Sequence, residues 1–127
     1  MTVLKFAKGI GVFGLVLMLT PVIVSAGEAN VVGVKISKES ANSYRFDVTV
    51  RHDDKGWDHY ANKWDVVAPD GSVLGTRELA HPHENEQPFT RSLSGVRIPD
   101  GVEKVTLRAH DSVDKYGGTE MVVDVPR

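Results

Sequence analysis

An alternation of apolar and polar residues with a period of two is the feature that most limits how this chain can fold. Between residues 44 and 51 every second residue is apolar, and the residues between them are charged or polar. Successive side chains of a β-strand point to opposite faces, so this pattern predicts a strand with one buried face and one solvent-exposed face. Similar series start at Val105, at Met121 and, more weakly, at Val32, Val34 and Ile36. No segment after residue 26 shows the apolar stripe of a helix.

Three further apolar segments, 62–68, 72–79 and 88–93, are separated from these by turn sequences. Pro69-Asp70-Gly71 and Pro99-Asp100-Gly101 both favour a tight reversal of the chain. Seven short strands over about 100 residues predict an all-β fold, an immunoglobulin-like antiparallel β-sandwich. Trp64 is the expected core aromatic, and Tyr44, Phe46 and Phe89 are expected to pack across from it.

The first 26 residues have the composition of a secretory signal peptide. Lys5 and Lys8 precede an apolar run, residues 10–24, and Val24-Ser25-Ala26 supplies small residues for cleavage. The run is about 22 Å long as a helix, shorter than the ~30 Å hydrocarbon core. We therefore expect residues 1–26 to be removed, leaving a domain of residues 27–127 that is periplasmic or secreted and not stably inserted in a membrane.

Charge and cysteine content exclude several classes of function. Without Lys5 and Lys8, 13 basic residues remain against 17 acidic ones, a net charge of −4. Nucleic acid and anionic membranes are therefore not expected as partners, because they require a basic surface. The chain has no cysteine, which excludes disulfides, thiol catalysis, thiolate-bound metals and a lipid-attachment site.

The topology of the predicted sandwich gathers the histidines at one end. With strands that alternate in direction, the loop after the second strand, the loop after the fourth and the end of the sixth all lie at the same pole. The five histidines fall in these places: His52, His59, His81, His83 and His110. Several acids accompany them, whereas the opposite pole has the two Pro-Asp-Gly turns. Loops held by a rigid sandwich commonly carry binding sites.

This distribution suggests a divalent metal site. His81-Pro82-His83 would place two imidazoles on one side of an extended segment, and His52, His59 or Asp111 could supply further ligands. His52 and Asp111 continue the inward-facing series of their strands, whereas His110 has outward parity and is a weaker candidate. Imidazole and carboxylate ligands without thiolate favour zinc or copper(II). Calcium is disfavoured, because the acids at 53, 54 and 58 lack the spacing of a calcium loop.

Other interpretations of the same residues stay open. The histidines could join loops by hydrogen bonds to nearby carboxylates, or could respond to pH. Trp57, Tyr60 and Tyr116 lie in the same loops and could form a binding surface for another envelope protein. No nucleophile and base are placed to act together, so a non-enzymatic binding protein is expected.

Three stretches of the chain carry a resemblance: residues 81–95, residues 64–71 and Arg108-Ala109-His110-Asp111-Ser112 with Tyr116-Gly117-Gly118. Together they resemble a group of small secreted bacterial proteins of unknown function. The resemblance implies an extracytoplasmic compartment and a single domain. It implies no activity, cofactor or partner.

Overall fold

Seven β-strands make up the regular structure of a computed structural model that describes residues 27–127. The predicted signal peptide, residues 1–26, lies outside the described residues. The strands are β1 (Asn30–Ser40), β2 (Ser43–Arg51), β3 (Ala61–Val67), β4 (Val73–Glu78), β5 (Phe89–Arg97), β6 (Lys104–Asp111) and β7 (Met121–Asp124).

The strands form two antiparallel sheets. One sheet has the order β1-β2-β5 and the other β4-β3-β6-β7. This arrangement confirms the predicted all-β, immunoglobulin-like sandwich. The fourth strand forms a hairpin with β3 and so extends the sheet of β3 rather than the sheet of β5.

The core lies between the sheets and contains the aromatic residues expected there. Trp64 from β3 is fully buried, as are Tyr44 and Phe46 from β2, and Phe89 from β5 is almost so. The alternating residues of β2 and β6 supply much of the rest, with their polar neighbours outside. Both sheets and this core lie within residues 27–127.

Two predicted strands differ from the observed ones. In β1 the expected inward series Val32, Val34 and Ile36 is wrong at its first member, because a register shift between Val31 and Gly33 buries Val31 and leaves Val32 exposed. Strand β5 runs to Arg97, four residues beyond the predicted end. Its pairing with β2 continues past Leu93 through another register shift, which the sequence pattern did not indicate.

The two ends of the sandwich differ in character. At one end lie the Pro-Asp-Gly turns, where Gly71 and Gly101 both have a φ of 91°, a left-handed conformation that favours glycine. The other end carries the loops 52–60, 79–88 and 112–120, and we call it the histidine end. Within residues 27–127 no helix has the length and apolar character needed to cross a membrane.

Candidate metal centre

Three side chains converge at the histidine end from interior strands of the two sheets. His52 directly follows β2, His59 lies two residues before β3, and Asp111 is the last residue of β6. His52 and Asp111 continue the buried faces of their strands, as the alternation predicted, and their side chains are fully buried. The side chain of His59 is 25% exposed. We call these residues the three-residue cluster.

The geometry of the three-residue cluster suits a metal ion. One ligand atom from each residue can be chosen so that all lie within 4.8 Å of one another. His59 Nε2 lies 3.1 Å from Asp111 Oδ1, and His52 Nε2 lies 3.9 Å from Asp111 Oδ2. Ligand atoms bound about 2.0–2.2 Å from one zinc ion lie about 3–3.5 Å apart. The His59–Asp111 contact already has this separation, and the other ligand atoms would have to move closer together to coordinate one ion.

Asp111 is held in place through one of its two carboxylate oxygens. The backbone N–H groups of Val113 and Asp114 donate to Oδ1 at 2.9 and 2.6 Å. The other oxygen, Oδ2, is buried and has no hydrogen-bond partner among the described residues. Leaving a buried charged oxygen without a partner is costly, so this atom is a candidate ligand.

Asp54 orients His52 from the opposite side of the ring. Its Oδ1 lies 2.5 Å from His52 Nδ1 and accepts the Ala61 N–H at 3.0 Å. A carboxylate that accepts Nδ1–H fixes the tautomer in which Nε2 carries the lone pair, the usual support of a metal-binding histidine. Asp54 thus orients the His52 ring, whose Nε2 lies on the side of Asp111.

The two imidazoles face more oxygen atoms than two neutral rings can donate to. His59 Nε2 faces Asp111 Oδ1 and Asp114 Oδ2, each at 3.1 Å, and Gly27 O at 3.3 Å. His52 Nε2 lies 2.9 Å from the same Gly27 oxygen while Nδ1 faces Asp54. A neutral imidazole donates from one nitrogen only. A neutral His52 could therefore donate to only one of the two oxygens that face it, and His59 Nε2 offers a single N–H to the three oxygens around it.

His81 and His83 lie in the loop before β5 and are not members of the three-residue cluster. Their ring centroids are 4.6 Å apart, as their spacing suggested. His81 is exposed, whereas His83 is buried in a stack on Phe89 and neither of its ring nitrogens has a hydrogen-bond partner within residues 27–127. The N–H of His83 donates to Asp54 Oδ2 at 2.7 Å, which links this loop to the cluster.

His110 points away from the three-residue cluster, in agreement with its outward parity. Its Nδ1 lies 2.7 Å from Asn62 Oδ1, and its ring packs edge-on against Tyr116. Burial lowers the pKa of His110, and the nearby charges of Lys63 and Lys115 lower it further.

The three aromatic residues of the loops have different environments. Trp57 is 66% exposed and contacts Tyr60 edge-on at 5.5 Å between ring centroids. Tyr116 is partly buried, with its ring under the guanidinium of Arg108 and its hydroxyl donating to Asp65 at 2.5 Å. Trp57 is therefore the most accessible of the three, and Tyr116 is tied into the surface of the four-stranded sheet.

Sequence reasoning missed the contributions of Asp54 and Gly27 to the site. Asp54 could have been found, because it continues the inward series of β2 two residues after His52, and both are buried. Nothing near Gly27 in the sequence signals its position, which depends on the packing of the chain before β1 against the loop 112–120.

Comparison with known proteins shows a similarity in sequence to a protein of another organism. The chain is 45% identical over 97 residues to a protein of Halomicrobium mukohataei (strain ATCC 700874) named "Putative lipoprotein". The similarity covers 76% of this chain and 47% of the relative, so the chain spans about half of the relative's length. No family model and no solved structure matches the chain. The relative's name states no ligand, activity or partner.

Proposed function

We propose that this chain is an exported, non-enzymatic binding protein for a divalent transition-metal ion, zinc or copper(II), held by His52, His59 and Asp111. The observation that carries the proposal is the buried Asp111 Oδ2, which lacks a hydrogen-bond partner in the described part of the chain and faces His52 Nε2. A cation between them would offset the cost of burying that charge. Two imidazoles and a carboxylate are ligands that zinc and copper(II) both accept.

Binding is favoured over catalysis because the ligands are enclosed. The side chains of His52 and Asp111 are fully buried and that of His59 is mostly so. A catalytic ion needs an open position for substrate. The leader-like residues 1–26 and the word lipoprotein in the relative's name support an exported location, periplasmic or secreted.

The test is calorimetric titration of the chelator-stripped domain, residues 27–127, with zinc and with copper(II). We expect one saturable site of micromolar or better affinity, on the order of −8 kcal/mol. The variant Asp111→Asn keeps an oxygen to accept the Val113 and Asp114 N–H groups but loses the charge, and we expect at least a hundredfold loss of affinity. A double variant, His52→Ala with His59→Ala, should lose the site altogether.

Two control variants locate the site among the histidines. His110→Gln changes a histidine next to Asp111 that points away from the cluster, so it should bind metal like the unchanged protein. His81→Ala with His83→Ala removes the other histidine pair and should also leave the site intact. Weak, unsaturable heat in the unchanged protein would contradict the proposal, and loss of binding only in the His81/His83 variant would move the site to that pair.

A second candidate function, docking of another envelope protein, is favoured by the exposure of Trp57 at the histidine end. An exposed tryptophan is a typical anchor of a protein interface. In this case His52 and His59 would serve as structural or pH-responsive contacts. Photo-crosslinking from the exposed neighbouring position 58 in the producing cells would then yield a discrete adduct. Adding Trp57→Ala should abolish this adduct, and His52→Ala/His59→Ala variants with an intact fold should retain it.

A further inference from the structure

Gly27 lies inside the candidate metal centre, although it belongs to no strand. Its carbonyl oxygen is 2.9 Å from His52 Nε2 and 3.3 Å from His59 Nε2. A Cβ placed on Gly27 would lie 2.2 Å from Asp114 Oδ2, so the α-carbon itself is packed against that carboxylate. The backbone of Gly27 thus lies against His52 and His59, which would bind the ion, and against Asp114.

The position of Gly27 is fixed by the residues that follow it. Ala29 is buried, and its carbonyl oxygen lies so close to Gly118 that a Cβ on Gly118 would approach it to 1.9 Å. The Val31 N–H donates to Thr119 O at 2.9 Å. These contacts hold the chain before β1 against the loop 112–120, which also carries Asp114.

Gly27 is also the first residue after the predicted cleavage site. Hydrolysis of the Ala26–Gly27 peptide bond adds one water, leaving a carboxyl group on Ala26 and an α-amino group on Gly27. An α-amino group has a pKa of about 7.7–8.0 and gives up one proton when it binds a metal. Bond lengths keep this nitrogen within about 4 Å of the carbonyl oxygen of the same residue, so cleavage would deliver an amine to the candidate metal centre.

We propose that the processed N-terminus, Gly27, is itself a metal ligand and supplies its amine nitrogen and carbonyl oxygen to the ion held by His52, His59 and Asp111. The inference rests on the proposed function. Both atoms come from one residue and close a small chelate ring with the ion. Three nitrogens with oxygen donors suit the tetragonal preference of copper(II), so this site would favour copper(II) over zinc.

The experiment compares two forms of the domain that differ by one residue. Each is released from a fusion partner by a protease that cuts directly before the chosen residue, so that one begins at Gly27 and the other at Ala26. The longer form keeps every side chain and the Gly27 carbonyl, but its Gly27 nitrogen is an amide. We expect the form that begins at Gly27 to bind copper(II) at least tenfold more tightly in competition titrations. Its electron paramagnetic resonance spectrum should show one more nitrogen ligand.

Two further measurements check the folding of both forms and the first residue of the exported product. Thermal unfolding without metal checks that both forms fold alike. If the longer form does not, Nα-acetylation of the folded Gly27 form blocks the amine without lengthening the chain, and the same loss of affinity is expected. Mass spectrometry on the exported product of the full 127-residue chain should find Gly27 as the first residue.

The outcomes separate this inference from the proposed function. Equal copper(II) affinities and equal spectra for the two forms would overturn the role of the amine and leave the metal site of His52, His59 and Asp111 standing. An exported product that begins at another residue would also overturn it. Absence of binding in both forms would overturn the proposed function together with the inference.

Discussion

Asp54 accepts hydrogen bonds from three separate segments, and its closest contact is with His52, whose Nδ1 lies 2.5 Å from Asp54 Oδ1. The same oxygen accepts the Ala61 N–H, and Oδ2 accepts the His83 N–H. One buried carboxylate therefore joins the chain after β2 to the start of β3 and to the loop before β5. The orientation of His52 depends on this junction.

Asp54→Asn should weaken both the fold and the metal site. An amide cannot replace the charge beside His52 and cannot accept at both of its ends, so we expect a loss of about 3 kcal/mol in the free energy of unfolding. Metal affinity should fall about 10–100-fold, as for other residues that orient a metal-binding histidine. Urea unfolding without metal and calorimetric titration measure the two effects. The control is Asp53→Asn at the exposed neighbouring residue, which should change neither the free energy of unfolding nor the metal affinity. An Asp54→Asn protein in which both quantities are unchanged would contradict the role assigned to Asp54.

His83 should make stability depend on pH. Burial lowers the pKa of His83 and the charges of Arg91 and His81 lower it further, against the opposing effect of Asp54 and Glu86. The unfolded chain, with a histidine pKa of about 6.5, then binds more protons than the folded one between the folded pKa and that value. The free energy of unfolding therefore falls as the pH decreases through this window.

His83→Phe should remove this contribution while keeping the stack on Phe89, whose ring centroid lies 4.0 Å away. It also removes two buried nitrogens that lack partners in the described part of the chain. We therefore expect unchanged stability or a gain of up to about 1 kcal/mol at neutral pH. We would measure the free energy of unfolding with urea at several values between about pH 5 and 8. It should depend less steeply on pH in the His83→Phe protein than in the unchanged protein, with His81→Gln as the exposed control. An identical slope would show that His83 does not titrate on unfolding.

Tyr116→Phe should destabilise the four-stranded sheet. Burial of Asp65 disfavours its ionised form, but hydrogen bonds from Thr76, Tyr116 and Arg108 outweigh this effect and lower its pKa. Loss of the hydroxyl should cost about 1.5–2 kcal/mol, the range for hydrogen bonds to charged groups. Because the folded pKa lies below the unfolded value of 3.8, this stabilisation exists above that value and is lost as the pH falls through the folded pKa. Urea unfolding at about pH 7 should show a larger cost than at about pH 3.

Tyr60→Phe is the matched control for this variant, since Tyr60 lies at the same end and the side-chain hydrogen bonds to Asp65 come from Thr76, Arg108 and Tyr116. The Tyr116→Phe protein should also keep its metal affinity. Equal stabilities of the Tyr116→Phe and unchanged proteins at neutral pH would contradict the role assigned to the hydroxyl.

Gly118→Ala should displace the chain before β1. Its Cβ would meet the backbone oxygen of Ala29 at 1.9 Å, and backbone must then move, at a cost of about 1–3 kcal/mol. The movement would carry Gly27 away from His52, so metal affinity should fall as well. Gly33→Ala is the control, because its nearest contact, with Thr49, is at an ordinary 3.4 Å. Thermal unfolding and titration of the two variants should differ clearly; similar values would show that the approach to Ala29 is not tight.

Most of the fold followed from patterns that are local in sequence. The alternation in β2 and β6 predicted their buried faces, and the Pro-Asp-Gly turns predicted where the chain reverses. The register shifts in β1 and β5 were not predictable, because they depend on pairing with β2 and not on either strand's own pattern. Val32 is exposed for this reason.

The candidate site was predictable where it continues a strand and not where it depends on loops. Parity placed His52 and Asp111 inside and His110 outside, as observed. The grouping of His59 with them, apart from His81 and His83, depends on the path of two loops that have no regular period. Gly27 approaches the site through contacts with residues about 90 positions away in the chain, such as Val31 with Thr119.

The three-residue cluster draws its members from both sheets: His52 directly follows β2 of the three-stranded sheet, Asp111 ends β6 of the four-stranded sheet, and His59 lies in the loop that leads into β3. In a chain without cysteine, an ion bound there would act as a removable cross-link between the two layers. Mass action would add about 4 kcal/mol to the free energy of unfolding when free metal exceeds its dissociation constant about a thousandfold. The folded fraction of the domain would then follow the supply of metal around it.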